Sequence, residues 1–222
     1  MQGLKLVIGD KAFSTWSLRP WLVLKHCDAA FEEKVIFLDT PSTAAEIAEH
    51  SPAGKVPVLI ADGVAIWDSL AISLWCAEHW PRAGLWPEEA EPRARAYSVV
   101  CEMHSGFMAL RSECGMGPDH PMVGPPGPPM TPSATLSKDI RRLVEMWREC
   151  RARWGGEGPY LFGRWSIADA FFTPVAARVR HYQLDLAAHG DDGTAAAYCA
   201  ALLCQEDFLD WEAAGLAEVG QS

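Results

Sequence analysis

Two hydrophobic rhythms divide this chain. Over roughly the first 80 residues, short β-prone runs alternate with helical spacing; beyond them, helical spacing alone governs. Leu4-Lys5-Leu6-Val7-Ile8 predicts a central strand, and the polar stretch Gly9 to Thr15 leads into the apolar helix Trp16 to His26. Proline suits only the first turn of a helix, so Pro20 puts that helix's start near Trp16 or Ser17. Phe31 to Leu38 reads as a second strand, with Glu32-Glu33-Lys34 at its mouth, and Thr40 to His50 as a loop with one helical turn. Val58-Leu59-Ile60 and Val64-Ala65-Ile66 form a hairpin across the turn signal Ala61-Asp62-Gly63. A helix then runs from Asp68 to His79 and is stopped by Trp80-Pro81. The order is βαβ-ββα, a compact unit with one four-stranded mixed sheet and helices packed on it.

The stretch from Pro81 to Glu89 reads as a linker, and all that follows is helical in pattern. Helical spacing continues from Arg93 to Cys114, with Tyr97, Val100, Cys101, His104, Met108 and Arg111 recurring on it. Gly115 to Pro132 holds seven prolines and four glycines, so it predicts an exposed, partly ordered loop. Ser133 to Trp154 is a second long helix. Ser166 and Asp169 have capping-box spacing at the head of an apolar helix, Ala170 to Tyr182. Helices around Asp191 to Cys204 and Glu206 to Ala217 close the chain. The expected class is α/β plus all-α: residues 1–80, a linker over 81–90, and a helical domain over 91–222.

Composition narrows the function classes. The 222 residues are 49% hydrophobic with a net charge of −10, a poor basis for holding a nucleic-acid backbone. No apolar run is long enough for a membrane span, and the first residues lack a signal peptide's apolar core, so a cytoplasmic protein is expected. Seven cysteines, odd in number and never spaced Cys-x-x-Cys, suit a reducing compartment and argue against disulfides or structural zinc. Cys101 and His104 lie one helical turn apart, too few for a metal site, and none is expected.

Candidate chemistry gathers at three places. Val56 precedes the strand-opening Pro57 and is held extended, leaving its N–H and C=O free to pair with a peptide-like ligand if the bond is cis. Asp68 and Ser69 open a helix, where they serve as a cap or as a site for a charged ligand group. Ser14 and Thr15 stand at the positive end of the first helix, with Ser17 just inside it; capping competes with function for Ser14 and is favoured for Ser17.

Four patches in this order resemble the glutathione transferase family over essentially the whole chain: Ser14-Thr15-Trp16-Ser17-Leu18-Arg19, Ser51 to Leu59, Trp67-Asp68-Ser69 and Trp165-Ser166-Ile167-Ala168-Asp169. The first looks most like serine-type members of the zeta, maleylacetoacetate isomerase-like branch and its bacterial relatives. The resemblance implies a thioredoxin-like first domain, a cis Pro57, glutathione as co-substrate, a small electrophile as second substrate, and a homodimer. It implies that Val56 holds the cysteinyl backbone of glutathione, Asp68 and Ser69 its γ-glutamyl end, and Lys55 its glycyl carboxylate or peptide edge. Ser14 would face the sulfur as catalytic residue.

A second-substrate pocket would be lined by Trp16, His104, Met108 and Arg111, although helical spacing alone also suits plain core positions. Two departures matter. Trp16 stands where zeta-like members carry a cysteine, and His181, with Arg178 and Arg180 nearby, stands where zeta isomerases use an arginine. The second puts isomerisation of a dicarboxylate in doubt. Detoxifying conjugation, isomerisation and peroxide reduction are the expected activities; a non-catalytic glutathione-binding scaffold is the alternative.

Overall fold

A computed structural model describes residues 3–156 and 158–219. Strands β1 (Leu4–Gly9), β2 (Phe31–Ile36), β3 (Val58–Ala61) and β4 (Val64–Trp67) form one sheet in the order β2-β1-β3-β4. β1 pairs in parallel with β2, while β1–β3 and β3–β4 are antiparallel, with Leu6 opposite Leu59 and Leu59 opposite Ile66. The parallel pair requires a crossover, which α1 (Thr15–His26) supplies. A short α2 (Thr43–Ala48) precedes the hairpin and α3 (Ser69–His79) follows it.

Strand alternation sorts the core by face. Val7, Val58 and Ile36 bury against Ile47 of α2 in a small cluster. Leu6, Ile8 and Leu59 face the other way, onto Leu18 and Leu22 of α1 and Ile72 and Cys76 of α3. That second cluster runs on without interruption into the helical half: α4 (Ala90–Ser105), α5 (Met108–Glu113), α6 (Ala134–Trp154), α7 (Ile167–His181), α8 (Thr194–Leu203) and α9 (Glu206–Val219). Helix α7 is buried along nearly its whole length and packs on α1, α4 and α8.

Three local expectations need correction. α1 begins at Thr15, so Pro20 sits in its second turn rather than its first; having no N–H, it cannot bond the carbonyl of Trp16. The helix expected from Arg93 to Cys114 is two helices, broken where Gly106 is extended and Phe107 is left-handed at φ +57°. A Cβ at Gly106 would stand 2.7 Å from the Glu102 carbonyl oxygen, so the break demands glycine there. The Gly115–Pro132 segment carries no helix, yet it is not simply exposed. Met122 and Val123 are fully buried, and the backbone is pinned by Met122 N–H to Ala12 C=O (2.8 Å) and Gly127 N–H to His181 C=O (2.9 Å).

The expected capping box is present and larger than the sequence indicates. Asp169 is fully buried; its Oδ2 accepts from the Ser166 N–H (2.8 Å) and hydroxyl (3.0 Å), its Oδ1 from Leu161 N–H (3.0 Å) and Tyr198 O–H (2.8 Å). Burial pushes this carboxyl up to about 6 against the pull of those donors. One carboxylate thus joins the approach to α7 with α8. Asp169→Ala strands four buried donors and is expected to lower the unfolding free energy by about 3 kcal/mol or more in urea titration, well beyond the ~0.5–2 kcal/mol of an ordinary cap.

Candidate active site

The turn Asp10–Ser14 delivers α1 to the site. Phe13 and Ser14 N–H groups both bond the Asp10 carbonyl, while Asp10 Oδ2 accepts from Leu38 N–H (2.7 Å). From α9, Trp211 Nε1 donates to the Lys11 carbonyl (2.8 Å) and Glu218 Oε2 accepts from Lys11 N–H (2.7 Å). Gly215 lets α9 come close: a Cβ there would lie 3.0 Å from the Ala12 nitrogen. Helix α1 therefore starts from a turn fastened on three sides.

Ser14 is the residue before α1, buried, and its hydroxyl donates to Ser17 Oγ (2.7 Å), which also accepts from Gly9 N–H (3.1 Å). Neither serine caps the helix through its side chain; Ser17 ties α1 to the end of β1 instead of taking the capping role expected of it. Thr15 N–H bonds the Phe13 carbonyl (2.9 Å) and Leu18 N–H that of Ser14 (3.2 Å), so among the described residues the Trp16 and Ser17 amides between them keep their positive ends available.

Beside Trp16 lies a cleft of about 410 Å³, lined by Trp16, Ala53, Lys55, Val56, Pro57, Trp67, Asp68 and Ser69. The Val56–Pro57 bond is cis, as expected. Among the described residues the Val56 N–H and C=O have no protein partner. Asp68 adopts φ +76°, a strained value for a non-glycine residue, and its Oδ1 caps α3 by accepting from Leu70 N–H (2.8 Å). The Ser69 hydroxyl is buried with no hydrogen-bond partner among the described residues. The cleft wall thus offers a peptide edge and a free hydroxyl side by side.

Two residues more distant in sequence, His104 and Arg111, stand against Trp16 and Asp68 of that lining. His104 Nε2 lies 3.3 Å from Asp68 Oδ2, and its ring meets Trp16 edge-on at 5.5 Å. Arg111 stacks its guanidinium 4.7 Å from the Trp16 ring. Burial lowers the His104 pKa; Asp68 partly opposes this, and Arg19 and Arg111 reinforce it. His104 is therefore neutral at pH 7. Met108 stands apart, 67% exposed and outside the cleft lining, and Ser14 is likewise not part of that lining. His181 points elsewhere, its Nε2 3.3 Å from Nδ1 of His120 in the proline-rich segment.

Sequence reasoning missed Trp67, which lines the cleft, and Arg19, whose guanidinium lies 4.2 Å from the Trp16 ring and 4.8 Å from that of Phe171. A signal for Arg19 existed: an arginine three residues after Trp16, inside an apolar helix, shares its face.

This sheet, the helical half packed on it and the cleft beside a cis-proline define a protein of the glutathione transferase fold. Residues 13–79 match the family model "Glutathione S-transferase, N-terminal domain". A glutathione transferase homologue from Burkholderia, solved with bound glutathione, superposes with TM-score 0.70 over 100% of both chains at 19% identity. The particular likeness is to the zeta-type branch. The chain is 33% identical to a probable maleylacetoacetate isomerase of Caenorhabditis elegans over 98 residues, 44% of this chain and 45% of that protein, so the match spans less than half of each. A maleylacetoacetate isomerase from Anaeromyxobacter dehalogenans, solved with glutathione in its active site, superposes with TM-score 0.64 at 22% identity, covering 95% of this chain and 96% of that one.

The His104 geometry is checked by imidazole NMR. Its titration midpoint is expected below 6.5, lower still in Asp68→Asn, which removes the opposing charge, and higher in Arg111→Gln. Because the folded state holds this proton less tightly than the unfolded chain, His104 weakens folding as pH falls through 6.5; His26 and His181 are shifted in the same direction.

Proposed function

We propose that this protein is a glutathione-dependent enzyme that stabilises the glutathione thiolate for conjugation or isomerisation of a small electrophile. The observation that carries this reading is the pairing, on one cleft wall, of the unpartnered Val56 backbone with the unpartnered Ser69 hydroxyl. Such groups are costly to leave unbonded and suit the backbone and γ-glutamyl end of a tripeptide. Lys55, exposed at the rim, suits the glycyl carboxylate, and Asp68 the γ-glutamyl ammonium. The relatives named as isomerases, and those solved with glutathione, support the same assignment.

Ser14 is the proposed catalytic residue. A free thiol has pKa ~8.5, and lowering it by ~2 units takes about 2.7 kcal/mol. A hydroxyl hydrogen bond to an anion supplies ~1.5–3 kcal/mol and the helix terminus up to about 1 kcal/mol. To make this bond the Ser14 hydroxyl, which now donates to Ser17 Oγ, would turn toward the sulfur, while Ser17 keeps its bond from Gly9. The thiolate then attacks carbon of the electrophile; in conjugation the leaving group departs with the bonding pair, and in isomerisation the sulfur itself is later expelled. Trp16, His104 and Arg111 would bound the second substrate.

We further propose a cytoplasmic homodimer. The apolar side chains of Val64 on β4, Leu74 on α3 and Tyr97 on α4 are exposed and suit contact with a second copy.

Thiolate absorbance of bound glutathione tests the mechanism. Ser14→Ala is expected to raise the apparent thiol pKa by about 1–2 units; an unchanged value removes Ser14. Ser69→Ala should weaken glutathione binding about tenfold by calorimetry, the effect of one lost hydrogen bond to a charged group. Glutathione binding without turnover across electrophile, isomerase and peroxide panels would favour the scaffold alternative.

A further inference from the structure

The proline-rich stretch between α5 and α6 is strapped along the C-terminal end of α7. The Tyr182 hydroxyl donates to the Gly115 carbonyl, and Arg180 donates to that of Met122 (3.1 Å). In return, the N–H groups of Gly127 and Met130 donate to the carbonyls of His181 (2.9 Å) and Tyr182 (3.2 Å). One further tie is titratable. His120 stands on a tight turn closed by two backbone bonds between Gly117 and His120 (3.1 and 3.0 Å), and its Nδ1 lies 3.3 Å from Nε2 of His181. The two rings meet edge-on with centroids 5.5 Å apart, and the Tyr182 ring borders both, at 5.2 and 5.0 Å. His181 is buried, whereas His120 is exposed. Gly127 admits the inner ring: a Cβ there would stand 2.9 Å from His181 Nε2.

Two facing imidazole nitrogens share a hydrogen bond only while one of them lacks a proton. A neutral pair meets that condition, and so does a singly protonated one. With both rings protonated, two N–H donors and two positive charges confront each other at 3.3 Å, and the bond is lost. The surroundings make that state worse. Arg178 and Arg180 precede His181 on α7; Glu212 of α9 is engaged by Arg180 and by Gly124 N–H (3.1 Å), and Glu113 of α5 by the Ser133 hydroxyl (2.7 Å). On the strap, Asp119 beside His120 is exposed to solvent. Burial, His120 and Arg180 all lower the His181 pKa. The strapped form therefore holds its second proton less tightly than a released one. The strap is secure above pH 6.5 and loosens as pH falls through the pair's lowered range.

We propose that the His120–His181 pair is an acid-sensitive latch: protonation of both rings releases the Gly115–Pro132 strap from the end of α7. Release has two local consequences. Cys114, fully buried with its Sγ 3.5 Å from Met130 Sδ, loses part of its cover. The Met122 N–H also leaves the Ala12 carbonyl (2.8 Å), so the turn that starts α1 gives up one of its ties. The latch stands on these contacts and does not depend on which ligand the cleft takes.

Thiol labelling with 4,4′-dithiodipyridine, read site by site by mass spectrometry, tests it. The rate at Cys114 is divided by that at exposed Cys204 in the same sample, which removes the reagent's own pH dependence; buried Cys150 of α6 reports unfolding of the whole chain. Between about pH 7.5 and about pH 5 the ratio is expected to rise at least tenfold while Cys150 stays unlabelled. His120→Asn keeps a hydrogen-bonding atom where Nδ1 stands but takes no proton, and should hold the ratio within about twofold across that range. His120 is exposed, so this variant leaves the core undisturbed. His181→Gln is the second variant, with circular dichroism to show that it folds, and the same flat ratio is expected. A wild-type ratio that does not rise overturns the latch. So does a rise of wild-type size in either folded variant, which would assign the opening to another acid such as Asp169 or Glu218. Labelling of Cys150 in step with Cys114 would mean that the whole chain unfolds, and overturns a local release.

Discussion

The site depends on the turn from Asp10 to Ser14 being held where three separate parts of the chain meet. Leu38 reaches it from the strand side, Met122 from the proline-rich segment, and Trp211 with Glu218 from α9. Backbone amides and carbonyls buried there must find partners, and each partner comes from a different element. Lys11 adds a fourth tie: its ammonium bonds Glu33 at 2.6 Å and lies over the rings of Trp21 and Trp211. The start of α1, and with it the Ser14 hydroxyl and the Trp16 ring, is positioned by these contacts rather than by helix propensity.

Helix α1 has two jobs that pull its composition in opposite directions. Leu18, Leu22 and Leu24 support the sheet as ordinary core, while Arg19 and Ser17 are polar and fully buried on the same helix. Ser17 is satisfied by Gly9 N–H and the Ser14 hydroxyl. Arg19 finds no such partner among the described residues. The same contrast separates Asp169, with its four donors, from the Ser69 hydroxyl, which has no partner among the described residues.

Much of this was legible in the sequence because it is local. The hairpin from Val58 to Trp67, the cap at Asp68, the break at Trp80-Pro81 and the Ser166–Asp169 spacing each depend on residues a few positions apart. What escaped is non-local or turns on one dihedral angle. Helical spacing runs straight through Gly106, and nothing in that periodicity says that Phe107 turns left-handed. Seven prolines forbid helix in the segment before Pro132, but they do not reveal that Met122 and Val123 plug the core. Trp16, His104 and Arg111 were grouped through the family resemblance; the meeting of His120 with His181, 61 positions apart, appears only when the proline-rich segment is laid along α7.

The grip of α9 on the turn at Lys11 joins residues some 200 positions apart. During synthesis, the first sheet can assemble long before that helix emerges from the ribosome. Until it does, Asp10–Ser14 lacks the ties from Trp211 and Glu218, and the loop closure that supplies them spans some 200 residues. The turn that starts α1 therefore reaches its finished geometry only after α9 has docked on it.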